Sequence, residues 1–247
     1  MKATVFCIAS QKGGVGKSTT AGALAAALMV RGRKVLAIDL DGQCNLTHIL
    51  NGDRTAPGVL EVLRGDLQPA EAIQHTDQAD IMAGSKALTR FSMGNTRDTW
   101  ADILKGLRPK YDYIIIDTPP DLDELLFYAL YKADRAIIPV QAGAGSLDSL
   151  ADLAQTVAAV NRNGGALKIA GVLFTSVNTR KTNAEAAMQG AIKTTCDRLG
   201  LPVFNTEIRR ADAVRAGECF KQTVVAYDPK SKPAQDYFKL IEEMQLA

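Results

Sequence analysis

Val5-Phe6-Cys7-Ile8-Ala9-Ser10-Gln11-Lys12-Gly13-Gly14-Val15-Gly16-Lys17-Ser18-Thr19 runs from an apolar stretch, through a glycine-rich turn, to a lysine and two hydroxyls. The Ala/Leu-rich stretch that follows, 18–31, has helical character and ends at Gly32, a residue suited to closing a helix in the left-handed conformation. A strand that turns on glycines into a helix points successive backbone N–H groups, and the positive end of the helix dipole, at one spot. That spot is an anion site made of backbone. Glycines at 13, 14 and 16 let the chain curl closely around phosphate oxygens, Lys17 can neutralise the β and γ oxygens, and the Ser18 hydroxyl can ligate Mg²⁺. The spacing predicts a P-loop that holds ATP on Gly13, Gly14, Val15, Gly16, Lys17, Ser18 and Thr19.

Outward from this loop, short β-branched runs alternate with helical patterns. Strands are expected over 4–9, 34–39, 113–117, 135–140 and 169–175. Helices are expected over 18–31, 59–64, 69–74, 96–107, 122–132, 147–163, 183–199 and 232–245. The alternation predicts an α/β fold with a mostly parallel twisted sheet covered by helices on both faces, since several strands are apolar almost throughout. The segment 51–95 has the weakest pattern. With 247 residues, 47% of them hydrophobic, the chain suits one domain over 1–247.

A formal net charge of +2 excludes a whole-molecule basic field, so any nucleic-acid partner must be met by a local patch. Cysteines 7, 44, 196 and 219 form no C-x-x-C pair, and His48 and His75 are the only histidines, which points away from zinc or iron–sulfur ligation. The apolar N-terminus runs into the glycine loop with no cleavage site, and no stretch approaches the ~20 apolar residues of a membrane span. A cytoplasmic protein is expected.

Two further stretches place carboxylates where open α/β sheets bind ligands, at the carboxyl ends of strands. Val35-Leu36-Ala37-Ile38-Asp39-Leu40-Asp41 ends in two acids, which could serve as ligands or as plain caps. Ile114-Ile115-Ile116-Asp117-Thr118-Pro119-Pro120 ends in one, and a strand-end carboxylate facing the P-loop can reach a hydrated Mg²⁺. No residue looks like a covalent nucleophile. The parts describe phosphoryl transfer from ATP to water by positioning and charge neutralisation.

The loop departs from G-x-x-x-x-G-K-[ST] by placing Gln11 at the first glycine and Lys12 ahead of the glycines. In this K-G-G-x-G-K-[ST] form the chain resembles the deviant Walker A family that includes ParA, MinD and the nitrogenase iron protein. The resemblance to ParA-type partition ATPases extends to Asp39-Leu40-Asp41-Gly42-Gln43-Cys44-Asn45-Leu46-Thr47, Asp117-Thr118-Pro119-Pro120 and Thr223-Val224-Val225-Ala226-Tyr227-Asp228-Pro229-Lys230-Ser231. Gly42 stands where relatives usually have proline, which implies a looser switch. The segment 207–212 lacks the proline of the family's I-P-R-N.

The resemblance implies that Lys12 crosses a dimer interface to the partner's nucleotide, making Lys12, Lys17 and Asp41 the catalytic set. Asp41 would orient the attacking water or the Mg²⁺ shell, with Ser18 and Asp117 as the other metal-side residues, and Asn178 would contact the base. It also implies an ATP-induced homodimer, non-specific DNA binding, a ParB-like centromere-binding partner that stimulates a slow intrinsic ATPase, and a place on the nucleoid. The stretch 162–221 carries ten Lys/Arg against five Asp/Glu, against nineteen and twenty-two elsewhere. Within it Arg180, Lys181, Arg209, Arg210, Arg215 and Lys221 are the expected DNA contacts. With a strand expected from residue 4 and no helix-turn-helix expected ahead of it, sequence-specific operator binding by this chain is not expected. The alternative is a MinD-like membrane regulator, but the acidic 240–247 stretch suits anionic lipid poorly.

Overall fold

The computed structural model describes residues 2–92, 94, 97–120 and 124–246. Strands β1 (Thr4–Ile8), β2 (Val35–Asp39), β3 (Ile73–His75), β4 (Asp80–Met82), β5 (Tyr113–Asp117), β6 (Arg135–Val140) and β7 (Lys168–Phe174) form one sheet ordered β3-β4-β2-β5-β1-β6-β7. Every neighbouring pair is parallel except β3 with β4 at one edge. From β1 the chain builds outward first through β2 and later, on the other side, through β6. The carboxyl end of β1 therefore opens at a point where strand order reverses, which is where such sheets bind ligands.

The helices are α1 (Lys17–Val30), α2 (Asn45–Ile49), α3 (Val59–Arg64), α4 (Arg97–Leu107), α5 (Glu124–Lys132), α6 (Ser146–Arg162), α7 (Asn183–Leu199), α8 (Asp212–Cys219), α9 (Val224–Tyr227) and α10 (Lys232–Glu243). Successive strand residues point to opposite faces, and two cores follow. Val5, Cys7, Leu36, Ile38, Ile114 and Ile116 pack with side chains of α3 to α7, whereas Phe6, Ile8, Val35, Ala37 and Ile115 pack with α1, α2, α9 and α10. That arrangement requires strands without polar alternation, which is what their sequences supply. Helix α1 is buried on every side from Ala21 to Leu28, so it carries alanine and leucine all round instead of a single apolar stripe. Leu24 and Leu28, both fully buried there, contribute roughly 1.5–3 kcal/mol each.

The five expected strands and most expected helices form. Two findings differ. The segment 69–74 is not a helix: Pro69–Ala72 makes a single 3-10 turn, closed by Glu71 accepting from the Gln68 N–H, and Ile73 then leaves it as the start of β3. The three-residue strands β3 and β4 and the short helices α2, α8 and α9 lie in stretches too short for a periodic pattern to register. The expected helix starts at Thr96 and Leu122 lie outside the described residues.

Candidate nucleotide site

The turn after β1 is shaped by two left-handed residues, Gly14 at φ 74° and Gly16 at φ 89°. A side chain would find space at either position, with nothing closer than 3.9 Å, so it is the backbone conformation that demands glycine. The loop is held from behind. Gln141, just after β6, donates to the Gly14 carbonyl at 3.0 Å, and Thr175, just after β7, donates to the Val15 carbonyl at 2.7 Å. With those carbonyls engaged against the protein, the N–H groups of the loop and of the first turn of α1 are the ones left for a ligand.

Gly13, Gly14, Gly16, Lys17, Ser18, Thr19 and Asp41 line one cavity of about 390 Å³, joined by Pro120 of the β5 turn and by Glu218 of α8. Val15 is buried and supports the loop from within. Lys17, also buried, reaches back to the Lys12 carbonyl at 3.3 Å. Lys12 points elsewhere: its Nζ donates to the Ala144 carbonyl at 2.6 Å and to Ser146 Oγ at 3.3 Å, at the start of α6.

Behind this cavity the strands bring their acids together, because β2 and β5 pair with Asp39 opposite Asp117. Asp39 is fully buried and accepts from the Asp41 N–H at 3.1 Å, the Thr47 N–H at 2.8 Å and the Thr47 hydroxyl at 2.6 Å. It is a brace for the loop that carries Asp41. Burial pushes its carboxyl up to about 6, against the lowering effect of those hydrogen bonds. The Thr47 hydroxyl in turn accepts from the Gly84 N–H at 2.9 Å, and a Cβ on Gly84 would fall 2.9 Å from the Asp39 carboxyl carbon. Thr47 closes the Asp39–Thr47 stretch singled out in the sequence, whereas no pattern marks Gly84 as part of the site.

Asp117 is the most exacting of these residues. Both of its carboxylate oxygens are buried and accept no hydrogen bond among the described residues. Burial first, and then the charge of Asp39, holds its carboxyl well above the usual carboxylate range, while Ser18 and Lys17 pull it down. A buried acid with two unused oxygens, next to a hydroxyl, fits a hydrated divalent cation. Among the described residues no three His, Cys, Asp or Glu side chains converge on one point, so the protein builds no cage of its own. That suits Mg²⁺, which keeps waters and takes the remaining oxygens from substrate phosphates.

Comparison with known proteins agrees with this geometry. A family model described as an AAA domain matches residues 3–169. The chain is similar to the chromosome partitioning protein ParA of Myxococcus xanthus, at 32% identity over 97% of this chain and 87% of that one. It is similar to the sporulation initiation inhibitor protein Soj of Bacillus subtilis, at 30% identity over 97% of each. The chain belongs to the ParA/MinD superfamily of P-loop ATPases. Among solved structures, apo McdA of Cyanthece shares the fold, with a TM-score of 0.86 and 24% identity over 98% of this chain and 99% of that one. Cobyrinic acid a,c-diamide synthase of Mycobacterium smegmatis, solved with an ATP analogue and magnesium, has a TM-score of 0.82 and 29% identity over 97% of this chain and 93% of that one.

In this ParA/MinD-superfamily ATPase the remaining residues singled out by sequence fall in several places. A second cavity of about 400 Å³ adjoins the first and is lined by Thr175, Ser176, Arg209, Arg210 and Arg215 among others. Arg209 is clamped there by Asp236, with Nη2 to Oδ1 at 2.6 Å and Nε to Oδ2 at 2.9 Å. Asn178 lines neither cavity and donates to Glu185. Lys181 is paired with Glu207 at 2.7 Å. Arg180, Arg210, Arg215 and Lys221 are exposed and make no ion pair among the described residues. At Gly42, where a looser switch is expected, a Cβ would come within 2.7 Å of the Thr89 hydroxyl and 3.2 Å of the Thr89 N–H, so there is little room for a side chain. Thr89 fills the space that a larger residue would need.

Two outcomes are expected. Gly42→Ala should lower stability by roughly 1–3 kcal/mol through overpacking against Thr89, read from the urea midpoint at unchanged slope. Asp117→Asn removes a buried charge whose ionised form is disfavoured, so the nucleotide-free protein should melt about 2–6 °C higher at neutral pH. The same variant should lose the gain in nucleotide affinity that Mg²⁺ provides, measured by titration with and without the metal.

Proposed function

We propose that this chain is a partition ATPase whose ATP-bound form is a homodimer that holds DNA without sequence preference and lets go on hydrolysis. The observation that carries the reading is the division of labour between two lysines. Lys17 lies buried at the base of the phosphate cavity, and Lys12 lies outside it on the rim formed by Ala144 and Ser146. A single bound triphosphate uses the first and leaves the second for another copy. Released from Ala144, Lys12 would reach the partner's phosphates, and Asp41 at the cavity wall would orient the attacking water. Ser18, Asp41 and Asp117 would hold Mg²⁺, which would supply positive charge against the charge that develops on the phosphates. The kinship with ParA and Soj supports a segregation role, with a ParB-like centromere-binding protein as the stimulating partner.

The positively charged surface for DNA is assigned to Arg180, Arg210, Arg215 and Lys221, since Arg209 and Lys181 already spend their charge on Asp236 and Glu207. The MinD-like membrane alternative has less support. Pro233, Ala234, Tyr237, Leu240 and Ile241 make up the apolar side of α10, and that side is buried in the protein's own core. No helix among the described residues is long and apolar enough to cross a membrane.

Lys12→Ala should keep monomer affinity for ATP yet weaken dimerisation by about thirtyfold or more, the cost of removing one side of a buried charge contact. Equilibrium sedimentation with a slowly hydrolysed ATP analogue reads this directly, and an unchanged dimer would refute the shared lysine. Retention on random-sequence DNA should require ATP and fall steeply with salt. Four contacts per subunit, all engaged in a dimer, set a log–log slope near about −7. Equal retention with ADP would remove DNA from the reading.

A further inference from the structure

Besides Asp41, a second carboxylate lines the phosphate cavity. Glu218, in the last turn of α8, accepts from the Thr19 hydroxyl at 2.7 Å through Oε1, so it touches the first turn of the P-loop helix directly. Its backbone carbonyl is engaged by His48 Nε2 of α2 at 3.1 Å, which fixes the residue from the other side. Glu218 lines both cavities, the phosphate cavity with Lys17, Ser18 and Asp41 and the second cavity with Thr175, Ser176 and Ile208. Gly14, Gly16 and Thr19 are the other residues common to both, and together they form a neck between the two spaces.

An ATP molecule whose phosphates occupy the first cavity must pass its sugar through that neck to place its base in the second. Acid and phosphate repel, so Glu218 is a liability toward the triphosphate and useful only toward a donor. At the neck the nucleotide offers donors of one kind, the vicinal 2′- and 3′-hydroxyls of the ribose. A carboxylate is acceptor-only and takes two such donors side by side. Oε2 accepts no hydrogen bond among the described residues, so it has capacity to spare.

We infer that Glu218 is the ribose-recognition residue of this site and sets its preference for ribonucleotides over deoxyribonucleotides. The inference rests on ATP spanning the two cavities, and not on the DNA-binding or dimerisation reading. It also gives a use to the Glu218 oxygen that Thr19 leaves unengaged, on an acid whose charge disfavours phosphate. Hydrogen bonds to a charged acceptor are among the stronger ones, so losing them with the diol is read as a clear drop in affinity.

Direct titration of the full chain with Mg²⁺·ADP and with Mg²⁺·2′,3′-dideoxyADP tests this, because diphosphates avoid hydrolysis and the triphosphate-dependent dimer. The wild-type protein should bind ADP at least about tenfold more tightly than the dideoxy form. Glu218→Ala should bring that ratio to within about twofold of one. Removing an acid near phosphates tightens every nucleotide together, so the ratio, and not the affinity, is the measure. Glu218→Gln, which keeps the shape and one neutral acceptor, should give an intermediate ratio, and its dideoxyADP affinity reports whether the pocket is still folded. Inosine diphosphate separates the sugar from the base. If Glu218→Ala keeps the ribose preference, or instead loses the preference for ADP over inosine diphosphate, the assignment to ribose is wrong.

Discussion

Two acids on neighbouring strands, Asp39 and Asp117, share the buried end of the sheet, and the cost of that arrangement organises everything around it. Parallel pairing in register puts them side by side, and burial raises both pKa values. Asp39 is made tolerable by three hydrogen bonds from its own chain. Asp117 is not: its two oxygens accept no hydrogen bond among the described residues, and Lys17 and the positive end of α1 answer that electrostatic demand only in part. A metal-bound triphosphate suits such a place because it brings cation and anion together. The site is polarised before any ligand arrives: N–H groups and lysine on the β1 side, carboxylates on the β2 and β5 side.

The same hydrogen bonds that quiet Asp39 connect the site to the rest of the fold. Thr47 joins Asp39 to Gly84 across the sheet end, Arg54 donates to the Cys44 carbonyl at 2.8 Å, and Thr89 presses against Gly42. The loop that carries Asp41 is thus braced by Thr47 and by Arg54, Gly84 and Thr89, the last three from 51–95, the segment with the weakest sequence pattern. A change at Asp41 must move these contacts or break them. On the other side, Glu218 ties α8 to both α1 and α2, so the second cavity and the loop of Asp41 share a support.

Charge counted along a sequence is not charge presented at a surface. The stretch 162–221 is the basic part of the chain, yet Arg209 is held by the buried Asp236 and Lys181 by Glu207. Arg209, Arg210 and Arg215 also border the second cavity, where Arg210 and Arg215 stay exposed while Arg209 is held by Asp236. Ion pairs between residues 26 or 27 apart cannot be read from local composition.

What the sequence determined by itself was the class of sheet, the phosphate loop and the three strand-end acids. Each is a local matter: apolar β-branched runs make buried strands, glycines permit positive φ, and a strand end places its last residue at the ligand edge. Tertiary structure alone decided that Asp39 is a brace while Asp117 has no hydrogen-bond donor among the described residues, that Lys12 rests on Ala144, that Asn178 turns to Glu185, and that Glu218 comes from α8 to meet Thr19. These are contacts between segments far apart in the chain, set by how helices pack over a twisted sheet, and no spacing within a single segment encodes them.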